Sequence, residues 1–267
     1  MTAQLSRMEQ LSMKLCQSIN EQRTLKTLQR YYMEYVCCPW IHASTSNLRT
    51  VYGLDNLHKL NPDAGVILCA NHRSFIDLYV VAGIMYKAKL PWNQRHFYPV
   101  RSTYFYESLS GLGMNLVIGG GSMYPPIFRD SAKSEYTKAG LDTVSKHLTQ
   151  YGSVVGLHPE GKRSKDPDPF SMLPGQPGIG QIAHHSGAPV IPIWIRGLSN
   201  DVGKQILSNF QTGDKRGSEV VVAFGKPVDL SEYLAKKGRV AIYKRMSDTI
   251  VDAIQELGAQ DRERSGL

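Results

Sequence analysis

Apolar positions along the chain follow two different periods. Near the amino terminus Leu5, Met8, Leu11, Leu15 and Ile19 recur at spacings of three and four, which predicts an amphipathic helix. A second helix is expected from about Glu21 to Val36. On a helical wheel Leu25, Leu28, Tyr32, Tyr35 and Val36 gather on one side, and Arg23, Lys26 and Arg30 on the other. Cys38-Pro39-Trp40 is expected to end it. Such a helix fits two settings, a membrane surface or packing against its own domain.

Beyond this start, short apolar runs alternate with helical stretches. Gly65-Val66-Ile67-Leu68-Cys69-Ala70 has the length and branching of a buried strand and runs toward a helix over Leu78 to Tyr86. Further strands are expected at Thr50 to Leu54, Arg95 to Val100, Asn115 to Ile118, Ser153 to Leu157, Ala188 to Ile195 and Glu219 to Phe224. Pro189 and Pro192 place the Ala188 run at a sheet edge or a bulge. Helices are expected from about Ser131 to Gln150, after Gly175 to Gly180, and from about Val240 to Leu257. Gly119-Gly120-Gly121 matches no phosphate-loop pattern and reads as a flexible turn.

This order predicts an α/β fold with a mixed, mostly parallel central sheet flanked by helices and an N-terminal amphipathic helical appendage. The expected division is residues 1–45 as appendage, 46–258 as the main domain and 259–267 as a flexible tail. Ligands of such sheets lie outside the carboxyl ends of the strands.

Composition narrows the partners. The 267 residues are 42% hydrophobic, enough for one sizeable domain. No apolar run reaches the 18 or so residues of a membrane span, and no signal-peptide pattern opens the chain, so a cytoplasmic setting is expected. Cys16, Cys37, Cys38 and Cys69 show no metal-ligand spacing and read as reduced thiols. His184-His185 lack a third ligand, and no metal is expected. The net charge of +8 favours polyanionic partners: nucleic acid, anionic lipid or a phosphorylated substrate. No recognition motif supports nucleic acid.

The candidate chemistry centres on Asn71-His72-Arg73-Ser74-Phe75-Ile76-Asp77, at a strand-to-helix turn. On one continuous helix a spacing of five would turn His72 away from Asp77, but a turn lets the carboxylate accept a hydrogen bond from one ring nitrogen and leaves the other free as a base. That is the base-and-orienter half of a serine-protease triad without its nucleophile, so an attacking hydroxyl would come from a substrate. Ser74-x-x-Asp77 is equally a capping box, in which the aspartate only caps a helix. Farther on, a strand empties into His158-Pro159-Glu160-Gly161-Lys162-Arg163-Ser164-Lys165, a turn able to cradle phosphate. It is otherwise a basic surface turn. Arg101 is expected at the same sheet edge as His72, and Arg129 near a bound anion or simply solvated.

Four blocks in order resemble the glycerolipid acyltransferase family of glycerol-3-phosphate and 1-acylglycerol-3-phosphate acyltransferases. They are Asn71-His72-x4-Asp77, Ile127-Phe128-Arg129, Pro159-Glu160-Gly161-Lys162-Arg163-Ser164 and Val190-Ile191-Pro192-Ile193. The second has its arginine earlier than usual, and the third has lysine where the family has threonine. The similarity runs from about residue 50 to 257. The resemblance implies that His72 is a general base and Asp77 fixes its tautomer. Arg129, Glu160, Gly161 and Arg163 would hold the acceptor's phosphate, with Arg101 and Lys162 beside them.

It further implies acyl transfer from acyl-CoA or acyl-carrier protein to a phosphorylated lysolipid, 1-acylglycerol-3-phosphate first among them, with no other cofactor and no acyl-enzyme. The setting it implies is the cytoplasmic face of a membrane, with an anionic surface as partner. The alternatives are another lysolipid or glycerol-3-phosphate as acceptor, a thioesterase or esterase in which His72 activates water, and a non-catalytic lipid-binding protein.

Overall fold

A computed structural model describes residues 4–267, apart from the side chain of Val202. Residues 1–3 of the expected appendage lie outside the described part. The strands in chain order are β1 (Arg49–Tyr52), β2 (Val66–Ala70), β3 (Arg95–Phe97), β4 (Val100–Arg101), β5 (Pro126–Ile127), β6 (Ser153–Leu157), β7 (Val190–Arg196) and β8 (Val220–Phe224). Six of them form a sheet in the order β1-β8-β7-β2-β6-β3, while β4 and β5 pair separately. Every neighbouring pair is parallel except β7 and β8, so the sheet is mixed and mostly parallel as expected.

Every residue of β2, β6 and β8 is buried, because helices cover both faces of the sheet. The helix Val240–Ser265 packs on Pro177–Ser186 and on β7. The crossing is close at Gly180, where any Cβ would lie 1.9 Å from the carbonyl oxygen of Tyr243.

Four features depart from the sequence reading. Asn115 to Ile118 is not a strand but part of the helix Leu109–Gly119, capped by the Ser108 hydroxyl accepting from the Gly111 amide. A four-residue apolar run cannot by itself distinguish the two. β7 lies inside the sheet rather than at its edge. Its ladder to β8 begins only at Ile193, opposite Phe224, so Pro192 sits where the partner strand has ended and its missing N–H leaves no gap.

Pro39 does not end the second helix. The chain runs from α1 (Arg7–Glu21) through α2 (Arg23–Tyr32) and a π turn (Met33–Cys37) into α3 (Cys38–Ala43), where Pro39 occupies the first turn. A first-turn position has no intrahelical partner for an N–H, so proline is tolerated there.

The fourth departure is the carboxyl terminus, where residues 258–265 continue the last helix instead of fraying. Asp261, 1% exposed, accepts from Trp194 Nε1 at 3.0 Å and from Arg196 Nη2 at 3.0 Å, tying the helix to the end of β7.

The orientation of α1 and α2 is also unexpected. Their polar sides face inward: Glu9, Ser12, Asn20, Lys26 and Gln29 are buried, whereas Leu11, Leu15 and Leu28 are exposed. Asn20 donates to the carbonyl of Gly121 at 2.8 Å and Gln29 to that of Gly120 at 3.0 Å, so the glycine turn is where these helices dock.

Replacing Asp261 with alanine leaves the Arg196 guanidinium and the Trp194 N–H without their buried acceptor. We expect a loss of ~3 kcal/mol in unfolding free energy, read from the urea midpoint at unchanged slope. A loss under ~0.5 kcal/mol would show that the terminal turns do not hold the domain.

Candidate active site

The site begins where β2 ends. Asn71 donates to the Ile195 carbonyl at 2.8 Å and accepts from the Ile195 amide at 2.7 Å, which fastens the strand end to β7. The next residues form a turn into the helix Asp77–Lys87. His72 Nδ1 lies 3.0 Å from Asp77 Oδ2, and the same oxygen accepts from the amides of Arg73 at 2.8 Å and Ser74 at 2.9 Å. One carboxylate therefore orients the imidazole and holds the turn before the helix, while the helix's own N-cap, Ile76, has no side-chain cap. The Ser74 hydroxyl donates to the Ser199 carbonyl at 2.8 Å and accepts from the Ile76 amide at 3.5 Å.

Burial lowers the pKa of His72 to about 3, with the Arg163 charge as a further cause. Burial also raises Asp77 to about 6, opposed by His158, by the Ser74 and Arg73 amides and by Arg163. At neutral pH the imidazole is thus uncharged and the carboxylate ionised. The proton sits on Nδ1, toward Asp77, and Nε2 is left free to act as a base.

His158, which the sequence reading passed over, stacks on His72 with ring centres 3.8 Å apart and planes at 11°. Its Nδ1 lies 2.9 Å from the Ala70 carbonyl and 3.1 Å from that of Asn71, which makes it a donor there. Burial, and after it the neighbouring His72, lowers its pKa to about 3, so the ring is neutral too. Its proximity follows from the sheet: Cys69 pairs with Leu157, and the next residues of β2 and β6 leave side by side. His72, Asp77 and His158 each offer a ligand atom, all within 4.8 Å of one another, a spacing small enough for a divalent ion.

The turn after β6 closes onto His72 from both sides. The Ser164 amide donates to the His72 carbonyl at 3.0 Å. Glu160, 2% exposed, accepts from the His72 amide at 2.7 Å through Oε1 and from the Leu173 amide at 2.9 Å through Oε2. Where the resemblance implies substrate contact, this carboxylate is engaged with two backbone amides. Gly161 takes φ +64°, the left-handed region that favours glycine, and its amide closes the turn on the His158 carbonyl.

The cations sit around this frame. Arg163 donates to Asn200 Oδ1 at 2.6 Å, and its guanidinium lies 3.8 Å over the Phe75 ring. Arg129 donates to the Gly161 carbonyl at 2.9 Å. Arg101 pairs with Ile127 in the β4–β5 ribbon, two residues before Arg129. Lys162 is exposed. Arg73, also missed from sequence, donates to the backbone carbonyls of Asp166 and Asp168, stapling the loop beyond the turn.

A neutral imidazole oriented by a buried carboxylate lies beside arginines at the carboxyl edge of a mostly parallel sheet, an arrangement with the chemistry to take a proton from a substrate and to attract an anion. Residues 49–196, which hold all of these groups except Ser199 and Asn200, match the family model described as Acyltransferase, and the chain belongs to that family.

Among curated proteins, the chloroplastic 1-acyl-sn-glycerol-3-phosphate acyltransferase BAT2 of Brassica napus is 27% identical over 180 residues, covering 67% of this chain and 44% of that protein. The 1-acyl-sn-glycerol-3-phosphate acyltransferase of Salmonella typhimurium is 27% identical over 167 residues, covering 62% and 58%. The chain thus spans about half the length of these relatives. A crystal structure of the 1-acyl-sn-glycerophosphate acyltransferase PlsC from Thermotoga maritima shares the fold, with a TM-score of 0.53 and 17% identity over 94% of this chain and 88% of that one.

Protonation of Asp77 should reverse the His72 tautomer, because a neutral carboxyl donates to Nδ1 and leaves the ring proton on Nε2. Nitrogen NMR of the imidazoles should show His72 protonated on Nδ1 at pH 7 and the change centred near pH 6. Since His72 itself titrates near 3, a single transition at an ordinary histidine value would contradict this account.

Proposed function

We propose that the chain is an O-acyltransferase that moves a fatty acyl group from a thioester, acyl-CoA or acyl-carrier protein, to the free hydroxyl of 1-acylglycerol-3-phosphate. The observation that carries the proposal is the free Nε2 of a neutral, Asp77-oriented His72 beside Arg163. The names of the relatives support the choice of acceptor.

In this reading the acceptor hydroxyl gives its proton to Nε2 as its oxygen attacks the thioester carbonyl. The C–S bond then breaks, and the imidazolium returns the proton to the leaving thiolate. The nucleophile is the substrate's own oxygen, so no acyl-enzyme forms. Arg163 and Arg129 hold the acceptor phosphate, and Glu160 fixes the backbone of the base. A phosphate beside Arg163 also offsets the charge that depresses His72, so acceptor binding itself makes the base stronger.

Purified protein with acyl-CoA or acyl-carrier protein and a panel of acceptors, with products read by mass spectrometry, tests the reaction. His72→Ala should reduce transfer roughly 100 to 10,000-fold with the fold intact. Arg163→Ala should raise the KM for phosphorylated acceptors about tenfold or more, as expected for a lost charged contact, and leave the donor KM unchanged. Free fatty acid without acylated product would favour hydrolysis, and an equal loss for neutral acceptors would remove Arg163 from phosphate binding.

We further propose that the outward apolar faces dock on a bilayer. Leu28 is 59% exposed, Tyr35 67% and Val117 66%, with Leu11, Leu15, Tyr31, Leu109 and Met114 also exposed. Tyr32 donates to the Val117 carbonyl at 2.6 Å, which joins α2 to the helix Leu109–Gly119. No helix among the described residues is long and apolar enough to cross a membrane. Burying one leucine-sized side chain contributes ~1.5–3 kcal/mol, so a few suffice for surface binding. Leu28→Ser with Tyr35→Ser and Val117→Ser should abolish co-sedimentation with vesicles containing anionic lipid; unchanged partitioning would refute docking through this face.

A further inference from the structure

We propose that the cleft between α2, the edge strand β3 and the helix Ser134–Leu148 is a second binding site, for a phosphate-bearing ligand. The cleft encloses about 930 Å³. Its walls carry Arg23, Lys26, Arg30, Arg95 and Lys146 against one carboxylate, Glu21. That carboxylate is already engaged: Oε1 accepts from the Tyr124 hydroxyl at 2.5 Å and Oε2 from Gln17 at 3.0 Å. Glu34 reaches Arg30 Nε only at 3.8 Å, and Arg30 Nε and Arg95 Nε are buried without a hydrogen-bond acceptor.

Lys26 forms part of the floor and shows the imbalance most clearly. Only 4% exposed, its Nζ donates to Asn20 Oδ1 at 2.7 Å, Gln29 Oε1 at 2.6 Å and the His96 carbonyl at 2.5 Å, and lies 3.6 Å from the centre of the Phe97 ring. Three oxygen acceptors match the three donors of an ammonium group, so the surroundings are built for the charged form. None is a carboxylate. Burial and the Arg95 charge work against that form and lower the lysine's pKa. A buried cation solvated by dipoles but not neutralised is costly, and an anion between Arg23, Arg30 and Lys146 supplies the missing charge.

The cleft is separate from the His72 site and does not depend on the acyl-transfer reading. Arg95 pairs with Ser153, the first residue of β6, whereas His158 follows the last residue of that strand. Five strand residues separate the two levels by about 16 Å. Two sources of phosphate fit: a soluble ligand such as a nucleotide, or a lipid headgroup.

The test uses the full chain carrying Arg163→Ala, so that anion binding at the catalytic turn is weakened, and titrates pyrophosphate by calorimetry. Adding Arg23→Glu and Lys146→Glu, both at exposed positions, should weaken binding about tenfold or more. The neutral pair Arg23→Gln and Lys146→Gln should fall between, which separates loss of attraction from misfolding. CoA and monomeric dihexanoyl phosphatidic acid then distinguish the sources, as the one whose affinity falls in parallel with pyrophosphate. Unchanged affinity for all three probes in the reversed variant, with the melting temperature preserved, overturns the site.

Discussion

Asp77 Oδ2 accepts from an imidazole and two consecutive backbone amides while the residue is fully excluded from water. Burial alone would make this carboxyl neutral, and His158, the Ser74 and Arg73 amides and Arg163 together keep its pKa only near 6. The charge and the turn are therefore mutually dependent. The Arg73 and Ser74 amides point inward because an anion is there, and the anion survives because they do. His72 inherits both its position and its tautomer from this arrangement. Oδ1 of the same carboxylate is buried without a hydrogen bond, so the residue's polar contacts rest on one oxygen.

The parts of the fold that could be read from sequence are those whose chemistry is local. Strands β2, β6, β7 and β8 are almost wholly buried and show themselves as unbroken apolar runs. Asn115 to Ile118 has the same appearance and is helical, because the deciding features, the Ser108 cap and close backbone contact at Gly111, lie outside the run. Pro192 misled because its tolerance depends on where β8 stops, which is a property of another segment. Likewise His72 and Asp77 were legible through their spacing, whereas His158 and Arg73 act through neighbours almost a hundred residues away in sequence.

The first helices show a different limit. A helical wheel separates an apolar face from a polar one, but it does not say which of them meets the domain. Here the surface awaiting them is made of backbone carbonyls, those of His96 on the edge strand and of Gly120 and Gly121 at the turn. Such acceptors need donors when covered, and Lys26, Gln29 and Asn20 provide them. The polar face is drawn inward for this reason, the edge strand is covered by a helix rather than left open, and the apolar side chains are left outside.

A division of labour between acids and bases follows from these positions. The two carboxylates of the site, Asp77 and Glu160, are buried and bonded to backbone amides, so they fix geometry. The arginines at 129 and 163 are less enclosed, and their bonds to Gly161 and Asn200 leave several N–H groups of each guanidinium for an anion. Had the carboxylates faced the same opening, they would have neutralised the arginines and repelled a phosphate. Burying them against amides removes that competition and leaves Arg163 beside His72, where its charge adds to burial in lowering the pKa of the imidazole.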